Sequence, residues 1–362
     1  MTDRVEHFGW MVSPYTAKTR SFLRYAGVDF ADVAPTVWDL WFCIRRAVGA
    51  MVMPTVRLAD GRFIKDSSVI IDHFERLHPE RSITPATPRQ RIASAVLEVY
   101  ADEWLPLAAL YYRWTRPDST AFAIAEFGRN GAPWLPRPLQ RVVGRKLAAQ
   151  MQSYLPILGI HKETAPGIER MTERLIAGLD LVLARTPYLL GQRPCLADFS
   201  LYGPLFAHLL RDPGSRGLFA QAAHVRAWIE RMEAPTPLGE FLADDEVPAP
   251  IEAILASAFA EQWVYLAAVV RAIDRYVAAN PTALRVPRAL GEVEVEVGGV
   301  RTRRKLITFA QWKLQRAHAA YTSVAPTERA AVDTWLDSLG GGQLRAPIAH
   351  PMVFVGSQLR LA

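Results

Sequence analysis

Only two cysteines occur among 362 residues, Cys43 and Cys195, and they lie far apart in sequence. A disulfide framework or a cysteine-based metal site is thereby excluded, and a reducing, cytoplasmic setting fits. The eight histidines show no metal-ligand spacing with carboxylates or cysteines, so no metal is expected. A Walker loop and a Gly-x-Ser-x-Gly elbow are both missing, as are low-complexity tracts and internal repeats. The opening MTDRVEHFGW lacks the basic-then-apolar pattern of a signal peptide. Even the most apolar long stretch, 251–273, carries Glu252, Glu261, Gln262 and Arg271, which reads as a buried helix and not as a transmembrane segment.

What is present is globular composition, with 50% hydrophobic and 22% charged residues. The length suggests two or three domains. A formal charge of +6 brings nucleic acid, an acidic membrane surface and anionic small substrates into question. The basic residues are dispersed apart from the run Arg301 to Lys305, and no nucleic-acid motif accompanies them. No nucleic-acid partner is therefore expected, and that run reads as a solvated loop in preference to a cluster neutralising an acidic substrate.

The first eighty or so residues alternate short apolar runs with helical patterns. Val5 to Trp10 reads as a strand, Ser13 as an N-cap with Pro14 at the first helical position, and Gly27 as the stop. Val28 to Val33 is extended, a helical stretch covers Asp39 to Val48, and Asp60-Gly61 signals a hairpin between Thr55–Leu58 and Arg62–Ile64. Asp66 or Ser67 then caps a helix carrying Ile70, Ile71 and Phe74. From Pro88 onward helices dominate, with Ile168, Met171, Leu175, Leu179 and Val182 on one stripe. Near the end, GEVEVEVGG alternates as a half-buried strand turning at Gly298-Gly299, and a helix with Phe309, Trp312 and Leu314 is expected next.

The run SPYTAKTRSFLRYAGVDF resembles a thiol active site at a helix start whose sulfurs have been replaced by hydroxyls. Taken with MPTV, DSSVIIDHFE and PYLLGQRPCLADFSLYGPL, in that order and spacing, the chain resembles a bacterial cytosolic glutathione S-transferase up to about Pro213. The fold this implies is α+β: a thioredoxin-like βαβ-ββα domain over 1–82, an all-α transferase domain over 83–245, and a further, mostly helical extension over 246–362. Glutathione is the implied co-substrate. Ser13 is the first choice for stabilising its thiolate, with Tyr15 and Thr16 as alternates. Phe8 stands where tyrosine-type classes keep a phenol, which disfavours that mechanism.

By the same resemblance Pro54 is the cis-proline, the main chain of Met53 binds the cysteinyl unit, and Asp66 and Ser67 hold the γ-glutamyl end, an anion at a helix N-terminus being physically favourable. Read without the resemblance, Ser13, Asp66 and Ser67 are helix caps. Lys18 and Arg20 read as assisting charges or as solvated side chains. The aromatic run with Trp104, Tyr111, Tyr112 and Trp114 is expected to bring one or two rings to a pocket for an apolar, aromatic electrophile, the remainder being core. Asp102 is expected to organise helix ends or contacts, and Asp198 to close a capping box in which Cys195 replaces the usual hydroxyl. The implied activity is glutathione transfer, detoxification by a homodimer in the family's manner, with glutathione-dependent ether cleavage as a subclass. A non-catalytic, metaxin-like scaffold on the same fold is the alternative, favoured by the long extension.

Overall fold

The computed structural model describes residues 4–362. β1 (Val5–Phe8) leads through a tight turn to α1 (Pro14–Tyr25), and β2 (Phe30–Val33) returns parallel to β1. α1 begins where Ser13 caps it and Pro14 needs no amide partner. It ends before Gly27, whose φ of 71° takes the chain out of the helix. A π-helical turn over Asp39–Ile44 runs into α2 (Arg45–Val48). β3 (Thr55–Arg57) and β4 (Phe63–Lys65) then form the hairpin signalled by Asp60-Gly61, with Gly61 at φ 85°. The sheet order is β2-β1-β3-β4, and α3 (Ser67–Leu77) buries Ile70, Ile71 and Phe74. This is the thioredoxin-like βαβ-ββα arrangement.

Helices follow: α4 (Pro88–Glu103), α5 (Pro106–Thr115), α6 (Pro117–Gly131), α7 (Arg137–Gln152), α8 (Leu155–Leu158), α9 (Ala165–Leu183), α10 (Leu196–Pro204) and α11 (Ala223–Arg231). The remainder consists of α12 (Ala249–Ala279), β5 (Ala289–Val297), β6 (Val300–Ile307), α13 (Phe309–Thr322), α14 (Pro326–Ser338), and the hairpin of β7 (Met352–Val355) and β8 (Gln358–Leu361).

Packing groups these elements into two compact units that cut across the expected division at 82 and 245. The first comprises residues up to Ile83, Ala109–Tyr154 and Asp198–Pro237; the second comprises Thr84–Ala108, Leu155–Ala197 and Leu238–Ala362. The physical reason lies in α4, which packs against α13 and α12 of the extension. Lys313 Nζ donates to Asp102 at 2.8 Å with both side chains buried, Arg316 Nε donates to Glu98 at 2.8 Å, and Gln262 Nε2 donates to the carbonyl of Val99 at 2.9 Å. Asp102 thus organises contacts, as its place in the sequence suggested.

The run Arg301 to Lys305 is not a solvated loop. It belongs to β6, which buries Thr302, Arg304 and Leu306 and turns Arg301, Arg303 and Lys305 to solvent. Opposite them in register stand Glu296, Glu294 and Glu292, so the exposed face is a ladder of opposite charges. Gly298 and Gly299 make the turn at φ 54° and 84°, and a Cβ on Gly298 would lie 2.1 Å from the carbonyl oxygen of Gly167. α12 is long and apolar enough to cross a membrane by length and composition; here Leu255, Tyr265, Leu266, Val269 and Ile273 are fully buried within the second unit.

Candidate active site

Strand register builds the site. β1 pairs antiparallel with β3 so that Phe8 faces Thr55, and β3 pairs antiparallel with β4 so that Thr55 faces Lys65. Phe8, Thr55 and Lys65 therefore form one row across three adjacent strands. The residues just beyond that row are Gly9 to Ser13, Met53-Pro54 and Asp66-Ser67, so the three segments singled out by sequence converge at one end of the sheet.

Each segment has a local cause. The turn after β1 is fixed by Ser13 N donating to Trp10 O at 3.0 Å and by Trp10 Nε1 donating to Pro35 O at 2.7 Å. Ser13 is extended, with φ −96° and ψ 122°, and its Oγ accepts from Thr16 N at 3.3 Å. A serine hydroxyl that accepts one bond still has its own hydrogen to donate. Ser13 and Tyr15 are half-buried, whereas Thr16 is completely buried beneath Gly9, where a Cβ would meet Thr16 Cγ2 at 2.2 Å. Of the three hydroxyls, that of Thr16 is the one enclosed by protein.

The Met53–Pro54 peptide is cis, and Pro54 opens directly into β3. Asp66 has φ 74°, a region that residues with side chains occupy at a cost of about 1–3 kcal/mol. Its Oδ1 accepts from Ser68 N at 2.9 Å and Val69 N at 3.3 Å, so it is the N-cap, while Ser67 is the buried first residue of α3. Beside it Lys65 donates to Val48 O at 2.9 Å, and burial lowers its ammonium below the ordinary range.

Lys18 and Arg20 are not solvated. Lys18 is 1% exposed, and Arg20 donates to Asp32 through Nε at 2.5 Å and Nη2 at 3.2 Å. His7, wholly buried in β1, shares Asp32 through Nδ1 at 3.0 Å and meets Thr19 Oγ1 through Nε2 at 2.7 Å. These groups tie α1 to β1 and β2 and hold the helix whose N-terminus carries Ser13.

No local motif marks Arg113. Its Nη1 donates to Val12 O at 2.8 Å, its Nη2 to Ala207 O at 2.7 Å, and its fork grips Asp212 through Nε at 2.7 Å and Nη2 at 2.9 Å. The ion pair is buried on both sides. It clamps the carbonyl immediately before Ser13. Nearby Gly203 is equally required, because a Cβ there would lie 2.5 Å from Pro14 O. His208, in the same buried cluster, is held well below its ordinary pKa by burial and by the Arg113 charge.

The expected pocket aromatics are all buried. Tyr111, Tyr112 and Trp114 lie in the first unit, Tyr111 and Tyr112 edge-on at 5.0 Å with Arg116 over both rings; Trp104 lies in the second unit. In the second unit a cavity of about 310 Å³ is lined by Tyr100, Met171, Leu175, Ile254 and Glu261 among others, and by none of those four. Asp198 accepts from Trp228 Nε1 at 2.9 Å. Cys195 is buried and Cys43 half-buried, both as free thiols. Among the described residues no group of three or more His, Cys, Asp or Glu is arranged to hold a metal ion.

Residues 8–82 match the family model for the glutathione S-transferase N-terminal domain. No curated protein matches the sequence. Among solved structures the chain is similar to a glutathione S-transferase from Methylobacterium radiotolerans in complex with glutathione sulfonate, at 19% identity and a TM-score of 0.41 over 67% of this chain and 100% of that one. It is similar to a glutathione S-transferase from Xanthobacter autotrophicus at 18% identity and 0.38, over 69% and 99%. A beta-etherase from a Sphingobium strain is matched at 17% identity and 0.41, over 64% and 95%. Overlaps this loose carry no argument about function. The N-terminal match spans Ser13, Pro54, Asp66 and Ser67, so all four lie within the stretch that is similar to that domain.

Proposed function

We propose that the protein is a glutathione transferase that activates the glutathione thiol at the N-terminus of α1 and delivers it to an apolar, aromatic electrophile. The observation that carries this reading is the row Phe8–Thr55–Lys65, beyond which the Ser13 turn, Met53-Pro54 and Asp66-Ser67 converge. A free thiol has a pKa of about 8.5, so lowering it by roughly two units asks for about 2.7 kcal/mol of preferential thiolate stabilisation. A hydroxyl donor at Ser13 and the dipole of α1 are the groups available for that work. Met53 offers main chain to the cysteinyl unit, and the α3 N-terminus with Ser67 offers donors to the γ-glutamyl carboxylate.

Calorimetric titration with reduced glutathione, paired with ultraviolet titration of the bound thiol, tests the reading. Saturable binding with a depressed thiol pKa is expected. Ser13→Ala should raise that pKa with affinity nearly intact, and Ser67→Ala should mainly weaken binding. If Ser13→Ala moves neither the pKa nor conjugation, the role passes to Tyr15. The electrophile screen should include β-aryl ethers.

A non-catalytic binding protein on the same fold is the second reading. It is favoured by the capping roles of Ser13 and Asp66, which account for both residues without a ligand. Passage through a glutathione-affinity column without retention is the result it predicts.

A further inference from the structure

Ten tryptophans occur in the chain, and every exposed one among the described residues lies in one of two segments of the first unit: Trp38 and Trp41 before α2, and Trp134 before α7. Phe42 is exposed beside the first pair, Met51 just after α2, and Leu139 and Val142 on α7 itself. The segments are neighbours. A Cβ on Gly131 would lie 3.3 Å from Val37 Cγ1, 3.4 Å from Leu147 Cδ1 and 3.6 Å from Val143 Cγ1, so Val37 packs where α6 meets α7.

The charge around these side chains has one sign. From Phe127 to Lys162 the sequence contains no Asp or Glu, and from Leu40 to Ala59 it contains none either. Arg137, Arg141, Arg145 and Lys146 are exposed on α7, and Arg45 and Arg46 are exposed on α2. The acidic residue between Trp38 and Leu40, Asp39, turns its Oδ2 to Thr36 N and Oγ1, both at 2.8 Å. Along α7, Gly144 and Ala148 are buried, and the outward arc sets Leu139, Val142 and Lys146 beside Arg137, Arg141 and Arg145 at helical spacing. An exposed apolar row flanked by cations is the pattern of a helix lying in a membrane interface, with tryptophans at headgroup depth.

We infer that this face docks onto an anionic lipid surface. Single-stranded nucleic acid shares the charge complement, but base stacking needs open ring faces. Here one face of each ring in the first segment is covered: Trp38 stacks on Phe42 at 5.1 Å, Arg45 lies 4.2 Å over Trp41, and Arg46 lies 5.4 Å over Phe42. The exposed apolar side chains would insert between headgroups while the arginines meet phosphate and carboxylate.

The test is co-sedimentation of the full chain with vesicles of phosphatidylcholine alone and of phosphatidylcholine with phosphatidylserine, read alongside tryptophan emission. Binding to the anionic vesicles alone, weakened by salt and accompanied by a blue shift, is expected. The double variant Arg141→Gln/Arg145→Gln should weaken partitioning about thirtyfold, about fivefold per cation, and Trp134→Ser should weaken it and reduce the blue shift. These side chains are exposed, so far-ultraviolet circular dichroism should be unchanged. Equal partitioning into both vesicle types, no partitioning into either, or indifference to the double variant overturns the inference. So does binding of a polyuridine oligonucleotide, or self-association abolished by Leu139→Glu, without vesicle binding.

Discussion

The guanidinium of Arg113 donates to the carbonyl of Val12 at 2.8 Å, from a helix a hundred residues along the chain, while its fork is held by buried Asp212. Removing that clamp tests position and stability separately. Arg113→Met strands a buried carboxylate and should cost about 3–5 kcal/mol, measured by denaturant unfolding. Arg113→Lys keeps a cation near Asp212 but cannot bridge to both Val12 and Ala207. It should fold with a smaller loss and raise the pKa of bound glutathione, read by ultraviolet titration. An unchanged pKa would assign Arg113 to scaffolding alone.

Gly9 lies against Thr16, and Gly9→Ala would drive a methyl to 2.2 Å from Thr16 Cγ2 and 2.8 Å from its Cβ. Thr16 is a β-branched residue on a helix and cannot swing away freely. The expected penalty is about 1–3 kcal/mol in the unfolding free energy. Thr16→Ala in the same chain should restore part of it, and failure of that rescue would mean that the strain sits elsewhere.

Lys313 and Asp102 pair at 2.8 Å with both side chains 2% exposed. Lys313→Met alone should destabilise by about 3–5 kcal/mol, because it removes the cation that faces a buried carboxylate. Asp102→Leu/Lys313→Met removes both charges and should return most of that loss. A double-mutant cycle by urea unfolding decides the matter; simple additivity of the two single variants would refute the coupling.

The His7–Asp32–Arg20 cluster makes a prediction about acid. Burial lowers the His7 imidazole below 6.5 against the opposing bond from Asp32, so the folded state disfavours its charged form. Stability from this group is present above about pH 6.5 and is eroded as pH falls below it. Burial raises the Asp32 carboxyl, but the bonds from His7 and Arg20 outweigh it and bring the group to about 2 from 3.8. Its contribution is present above 3.8 and is lost on descent toward about 2. Unfolding free energies measured down this range should fall in two stages, and Asp32→Asn should remove the lower one. A single stage in both proteins would contradict the assignment.

Caps and turns were legible, most of all in the N-terminal domain, because their signals are local. Ser13-Pro14, Asp60-Gly61 and Gly298-Gly299 specify caps and turns within a few residues of themselves, and the structure uses each of them so. What the sequence hid were charges with distant partners. Lys18, Arg20, Arg113 and Lys313 look solvated in isolation; the last two find their carboxylates 99 and 211 positions away. The strand β6 was obscured for the same reason, since Arg304 reads as surface until Trp104 and Tyr265 close over it at 4.9 and 4.2 Å. The register row beyond which the candidate site lies was only half readable: the segments were recognisable, but their convergence depends on which residues of β1, β3 and β4 stand opposite one another.

The bond between α4 and α13 also sets a timetable. Asp102 leaves the ribosome 211 residues before Lys313, and at about 5–20 residues per second that gap lasts about 10–40 s. Through that interval α4, with Ile92, Val96 and Val99 on its buried side, lacks the cover of α13. Completion of the second unit is therefore paced by protein synthesis, and a pause or truncation anywhere downstream of α4 leaves that face for chaperones to shield.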